Sequence, residues 1–171
     1  MPGTEFDPLR LRDSASVVSI LRPSLVVGTG MTGILMKMAC GISRGTYYNV
    51  KGNESRLSVV HALDVARMVR LVEARGGDYS FSDGQSPLVS DLAEALSVRI
   101  DHKRIPTVSP RLARYLSYIG FLTGGVTPEM LRYLTADHLT VDSENMKSLE
   151  SFIPRNVVEY LTTHQYTEED I

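Results

Sequence analysis

The spacing of apolar residues changes period repeatedly along this chain, and each change marks an element. Val17 to Val27 reads Val-Val-Ser-Ile-Leu-Arg-Pro-Ser-Leu-Val-Val, a run dominated by β-branched residues that predicts a buried strand. Pro23 stands in its middle. Proline has no N–H to give a sheet ladder, so the strand should be irregular or near an edge there. Gly28-Thr29-Gly30-Met31-Thr32-Gly33 follows, then a helix from Ile34 to about Ser43 with Gly41 and Gly45 around its end. Tyr47 to Val50 and Leu57 to His61 read as short strands on either side of a Gly52-Asn53 turn. Asp64 starts a helix through about Ala74, with Val65, Met68, Val69 and Val72 on one face and Gly76-Gly77 closing it. Tyr79 to Phe81 is a strand, and Ser82-Asp83-Gly84 a turn.

The second half is richer in helix. Pro87 opens one to about Ser97, with Leu88, Leu92, Ala95 and Leu96 as its stripe. Asp101 to Val108 is extended. Ser109-Pro110 and Thr127-Pro128 each place a capping hydroxyl before a proline at the first helical position. They predict helices through Leu122 and to about Leu134. Leu139 to Val141 reads as a short strand, and two helices follow, Ser143 to Leu149 and Arg155 to about His164. Residues 1–15 form a polar lead-in expected to be poorly ordered, and Thr167 to Asp170 a frayed acidic tail. Residues 16–171 then make a single lobe. Short strands alternating with helices place it in the α/β class, as a mixed α+β lobe.

Composition narrows the choices. With 171 residues, 43% hydrophobic and 22% charged, the chain fits one globular domain or lobe with a core of its own. Eighteen basic against 20 acidic residues give a net charge of −2, which does not point to nucleic acid or a membrane as partner. The single cysteine, Cys40, excludes an intrachain disulfide and a multi-cysteine zinc site, and its apolar surroundings predict a buried, inert thiol. His61, His102, His138 and His164 are scattered without metal-ligand spacing. No apolar run reaches the ~18 residues that would span a bilayer, and the first residues lack a secretory pattern. A cytoplasmic location is the expectation.

Two motifs invite a catalytic reading. Gly28-x-Gly30-x-x-Gly33 has the dinucleotide-binding spacing, in which glycines permit a tight turn and close approach of the backbone to a pyrophosphate at a helix N-terminus. The acidic ribose partner expected about 20 residues on would be Glu54 or a neighbour, within a Gly-Asn-Glu-Ser turn. Alone, the motif is a weak signal, and a flexible strand-to-helix loop is the simpler reading. Tyr47-x-x-x-Lys51 matches the spacing of a phenolic acid/base and its lysine, but that pair needs one helical face and this segment reads as strand. His61 and Asp64 are better explained structurally, by a bond to nearby backbone and by helix capping.

Several segments, taken in order, resemble the extended short-chain dehydrogenase/reductase family of NAD-dependent epimerases and dehydratases. Ile20-Leu21-Arg22-Pro23-Ser24-Leu25-Val26-Val27-Gly28-Thr29-Gly30 looks like the family's "LRP..VYGPG" strand and loop, with Val27 where tyrosine is frequent. Leu57 to Ala66 is similar to "..F.HV.DVA", Tyr79 to Gly84 with the next helix to "YNV.DG....ELA", and Lys103-Arg104-Ile105-Pro106 to the "..IP" that follows. The resemblance covers about residues 17–165 and moves the glycine loop to a late strand of the fold. The family's GxxGxxG, catalytic Ser/Thr and helical Tyr-x-x-x-Lys all precede "LRP", before which this chain has only about 20 residues. The chain is therefore expected to be the C-terminal part of a Rossmann-like NAD(P)-binding enzyme, without the N-terminal dinucleotide-binding half and without catalytic residues of its own.

The resemblance also implies roles. Pro23, Ser24 and Val26 would face the nicotinamide of NAD or NADP, and Gly28, Thr29 and Thr32 would border the substrate. Arg56 is the candidate for a sugar-nucleotide pyrophosphate, although Leu57 holds the position where the family's arginine usually stands, and a shift of one residue in a strand turns the side chain to the other face. The leading function is substrate binding for a sugar-nucleotide epimerase or dehydratase, with a reductase of flavonol- or steroid-like substrates close behind. The alternatives are a non-catalytic assembly module and a true dinucleotide-binding domain using Gly28, Gly30 and Gly33. Partners would be the small-molecule substrate and either a second copy or the N-terminal half.

Overall fold

The computed structural model describes residues 17–28, 30–100, 104–147, 149 and 152–163. The expected lead-in over residues 1–15, the acidic tail and Thr29 lie outside them.

The first apolar run forms two strands, β1 (Ser19–Pro23) and β2 (Leu25–Val27), broken at Ser24. Each half has its own partner. β1 pairs in parallel with β5 (Gly77–Phe81), and β2 in parallel with β4 (Val59–His61). Ser24 N donates to Phe81 O (3.0 Å) and Leu25 N to Ser58 O (3.2 Å), so the chain changes partner between adjacent residues. Pro23 costs the ladder nothing. Gly77 N donates to Val18 O, and with the Ser24 bond this aims the even-numbered residues at β5. The missing N–H of Pro23 falls on the opposite edge. No other strand pairs with that edge among the described residues.

The far edge of β5 is closed differently. Ser143 N donates to Ser80 O (3.0 Å), Ser80 N donates to Ser143 Oγ (3.2 Å), and Asn145 Nδ2 donates to Asp78 O (3.0 Å). A third parallel pair joins β3 (Asn49–Val50) to β6 (Thr107–Val108). β3 is shorter than expected, since Tyr47 N donates to Gly41 O (3.0 Å), near the end of the preceding helix, rather than to a strand. The strand expected at Leu139 to Val141 does not form. His138 bridges to Leu57, and the next donor, Thr140 N, is taken by Ser58 Oγ (2.8 Å).

Helices α1 (Gly33–Ser43), α2 (Ala62–Val72), α3 (Val89–Arg99), α4 (Pro110–Thr123), α5 (Pro128–Leu134), α6 (Glu144–Lys147) and α7 (Val157–Thr163) complete the lobe. Both proline-led starts form as read: Ser109 Oγ accepts from Leu112 N (3.4 Å) and Thr127 Oγ1 from Met130 N (3.3 Å). Adjacent residues of β4 divide the core, as strand alternation requires. Val59 joins Leu35, Met38, Leu57, Leu92 and Leu96 on one side, and Val60 joins Met68, Val72, Tyr79 and Phe81 on the other.

The buried stripe of α2 differs from the expected one. Val69 is exposed, and Asp64 lies fully buried in line with Met68 and Val72. A buried carboxylate is tolerated when its oxygens are bonded. Asp64 Oδ1 pairs with Arg67 (2.8 Å) and Oδ2 accepts from Arg155 N (2.8 Å). Asp64 therefore does not cap its own helix; His61 does, its Nδ1 accepting from Leu63 N (3.2 Å). Buried Asp83 acts in the same way, accepting from Gln85 N (3.0 Å) and from Val157 N (3.2 Å) at the start of α7. Two carboxylates thus fasten the C-terminal segment to the lobe. Replacing Asp64 by Ala leaves the Arg155 N–H without its acceptor, and urea unfolding should show a loss of about 1–3 kcal/mol.

Candidate functional site

β2 and β4 run parallel and end side by side, with Val27 opposite His61. Their next residues, Gly28 and Ala62, meet at very close range. Gly28 has φ +153°, and a Cβ on it would lie 2.9 Å from the Ala62 Cβ. The loop then turns into α1. Beside these strand ends lies a cavity of about 350 Å³. Ser24, Val26, Gly28, Thr32, Ile34 and Ala62 contribute to its lining. A second cavity, of about 250 Å³, lies against the same loop and is lined by Met31, Met36, Cys40 and Arg99 among others.

The arrangement suits a small ligand. In parallel α/β sheets, ligands bind outside the carboxyl ends of strands, and two such ends converge here. The Ser24 hydroxyl oxygen is buried and has no hydrogen-bond partner among the described residues. A buried hydroxyl left in that state costs about 1–3 kcal/mol, which a polar ligand group would relieve. Apart from Thr32, the rest of the wall is apolar or glycine backbone, so two hydroxyl side chains are set in a mostly apolar surface.

Of the residues singled out from the sequence, Ser24, Val26, Gly28 and Thr32 come together around the first cavity. Pro23 ends β1 just before them. Thr29 lies outside the described residues. Arg56 stands apart: it is exposed, Nη1 donates to Ser86 O (3.1 Å), and Asp137 Oδ1 accepts from its backbone N (2.8 Å). Neighbouring Leu57 is fully buried. Sequence reasoning did not single out Ile34 or Ala62. Ala62 reaches the site through the register of β2 with β4, which a single sequence does not display.

The other candidates settle into structural positions. Tyr47 is buried, and burial, followed by the neighbouring Tyr48, holds its phenol well above the usual tyrosine range. Lys51 is exposed in a turn. Tyr48 donates its hydroxyl to Ala113 O (2.8 Å). Asp64 has both oxygens taken, and His61 sits edge-on to Tyr160 with ring centroids 4.1 Å apart. Cys40 is half-buried rather than buried, because it opens onto the second cavity with its Sγ 3.7 Å from the Met36 sulfur. No group of metal-ligating side chains assembles among the described residues.

Neither protein-family models nor curated protein sequences match the chain. Solved structures do. The UDP-N-acetylglucosamine 4-epimerase of Bacillus cereus superposes with a TM-score of 0.58 at 13% identity, over 90% of this chain and 50% of that one. The UDP-glucose 4-epimerase of Thermotoga maritima, solved with UDP-glucose, superposes with a TM-score of 0.53 at 16% identity, over 84% of this chain and 43% of that one. The fold is that of an extended short-chain dehydrogenase/reductase. The chain spans about half the length of these two structures.

Two outcomes test this geometry. Gly28→Ala adds a methyl group against Ala62 at a backbone angle that L-residues avoid, so it should cost about 1–3 kcal/mol in denaturant unfolding. For Tyr47, the unfolded chain releases the phenolic proton near pH ~10 while the folded chain keeps it. Stability should therefore fall as pH rises above ~10. In Tyr47→Phe that part of the fall should vanish, as followed by urea midpoints.

Proposed function

We propose that this chain is the substrate-side, C-terminal part of an NAD(P)-dependent sugar-nucleotide epimerase or dehydratase. The observation that carries this reading is the cavity at the joined ends of β2 and β4, lined by the glycine loop and by Ser24, whose buried hydroxyl has no partner among the described residues. Pro23, Ser24 and Val26 lie on the nicotinamide side of NAD or NADP. Gly28 and Thr32, with Thr29 of the same loop, lie on the sugar-nucleotide side. Glycine backbone permits the close approach that a ligand needs there. Hydride transfer and its acid/base partners belong to an N-terminal half. The edge of β1 that no strand pairs with among the described residues supports that assignment, since it offers alternate backbone groups for another parallel strand.

Arg56 is not part of this site as drawn, because its guanidinium is held on the Ser86 carbonyl. Leu57, fully buried where the family's arginine usually stands, favours as second reading a reductase of apolar, flavonol- or steroid-like substrates. The direct dinucleotide reading of Gly28, Gly30 and Gly33 has less support. The strand beside β2 ends in His61 rather than an acid, and Glu54 is exposed in a loop.

Calorimetry separates these readings. The 171-residue chain should bind UDP-glucose, lose at least about tenfold in affinity on Thr32→Trp, which fills the cavity, and show neither NAD(H) nor NADP(H) binding nor turnover alone. Tight NADH binding that Gly30→Val removes would instead assign the loop to a dinucleotide. Binding of neither class would favour an assembly module.

A further inference from the structure

Helix α4 is mounted with its larger residues outward. It packs on the lobe through Ala113, Ser117 and Gly120, all buried. A Cβ on Gly120 would collide with the Val126 carbonyl, so the helix backbone lies directly on its neighbour. The opposite side carries Leu112 at 45% exposure, Tyr115 at 66%, Tyr118 at 68% and Ile119 at 41%. An amphipathic helix normally buries that kind of face.

Cations line the same side. Arg111, Arg114, Tyr115 and Tyr118 stand at i, i+3, i+4 and i+7, and therefore form one strip of the helix. Arg104, Arg111 and Arg114 are exposed, and none of them forms an ion pair among the described residues. From His102 to Pro128 the sequence holds Lys103, Arg104, Arg111 and Arg114 and no Asp or Glu. The net charge of −2 thus conceals a wholly basic segment. Beside the strip a cavity of about 280 Å³ opens, with Leu116, Ile119, Pro106 and Val126 in its wall.

We propose that α4 is a peripheral docking helix for an anionic lipid bilayer. Exposed aliphatic groups enter the headgroup boundary, tyrosines suit its amphipathic depth, and arginines meet lipid phosphates and carboxylates. The helix lies on the surface; no described helix is long and apolar enough to cross a membrane. Charge decides against a second copy of the chain as occupant. A two-fold contact through this strip would bring four arginines, Arg111 and Arg114 of each copy, into one interface with no acid in the segment to answer them. The proposal does not depend on the function assigned to the glycine loop.

Vesicle flotation of the full 171-residue chain tests it. The chain should float with phosphatidylserine–phosphatidylcholine vesicles and not with phosphatidylcholine alone, and added salt should release it. Arg111→Gln with Arg114→Gln should weaken partitioning about 30-fold, two surface cations contributing about fivefold each. Tyr118→Trp adds a reporter to a chain with no tryptophan, and its emission should shift to the blue on anionic vesicles. All three changes sit on the exposed strip, and circular dichroism checks that each variant folds. A chain that stays in solution, a double-glutamine variant that floats as well as the parent, or an unmoved tryptophan spectrum would overturn the proposal. So would a dimer in sedimentation that Tyr115→Ser with Tyr118→Ser dissociates, since that would give the face to a second copy.

Discussion

The exchange of partners at Ser24 organises this molecule. Up to Pro23 the backbone bonds to β5, and from Leu25 it bonds to β4. One run of sequence therefore ties together two strands that are themselves separated by α2. Because both pairings are parallel, all four strands run in a common sense with respect to their neighbours. The glycine loop then leaves beside the end of β4, and the cavity is the space left where it turns away. Without the break, β2 could not turn toward β4, and Gly28 and Ala62 would not meet.

Buried carboxylates supply the second constraint. Asp64 and Asp83 both hold backbone N–H groups of the C-terminal segment, at Arg155 and Val157. Those groups are orphans at or before the start of a short helix, where a carboxylate is a favourable partner. Helix α7 is too short to be stable by itself. Its place against α3 depends on these bonds and on buried Val157 and Leu161.

What could be read from the sequence follows the range of the interactions. Ser109-Pro110 and Thr127-Pro128 declared their helices because a capping hydroxyl and the backbone N–H that donates to it lie within three residues. Pro23 announced an irregular strand for the same reason. Ser24, Val26, Gly28 and Thr32 could be named for the site because they share one contiguous stretch. Long-range chemistry stayed hidden. Asp64 belongs to the buried stripe of α2 because the backbone N–H of Arg155, 91 residues away, donates to it, as Arg67 does from one turn on. Val69 read as core because an apolar periodicity has no means of ranking a satisfied carboxylate above a valine. Thr140 left the sheet because Ser58, 82 residues earlier, supplied its hydrogen bond. Ala62 entered the cavity wall through strand register alone.

The two edges of the β1–β5 pair have unequal fates. On the β5 side, Ser143 and Asn145 answer the backbone with a serine hydroxyl, an amide and one main-chain pair, and then the chain turns into α6. A strand arriving there finds its ladder occupied. On the β1 side the alternate donors and acceptors are presented in strand geometry. The sheet consequently has a polarity of growth, like a polymer with one end terminated. Among the described residues, this strand pair is open to extension at β1 and closed to it at β5.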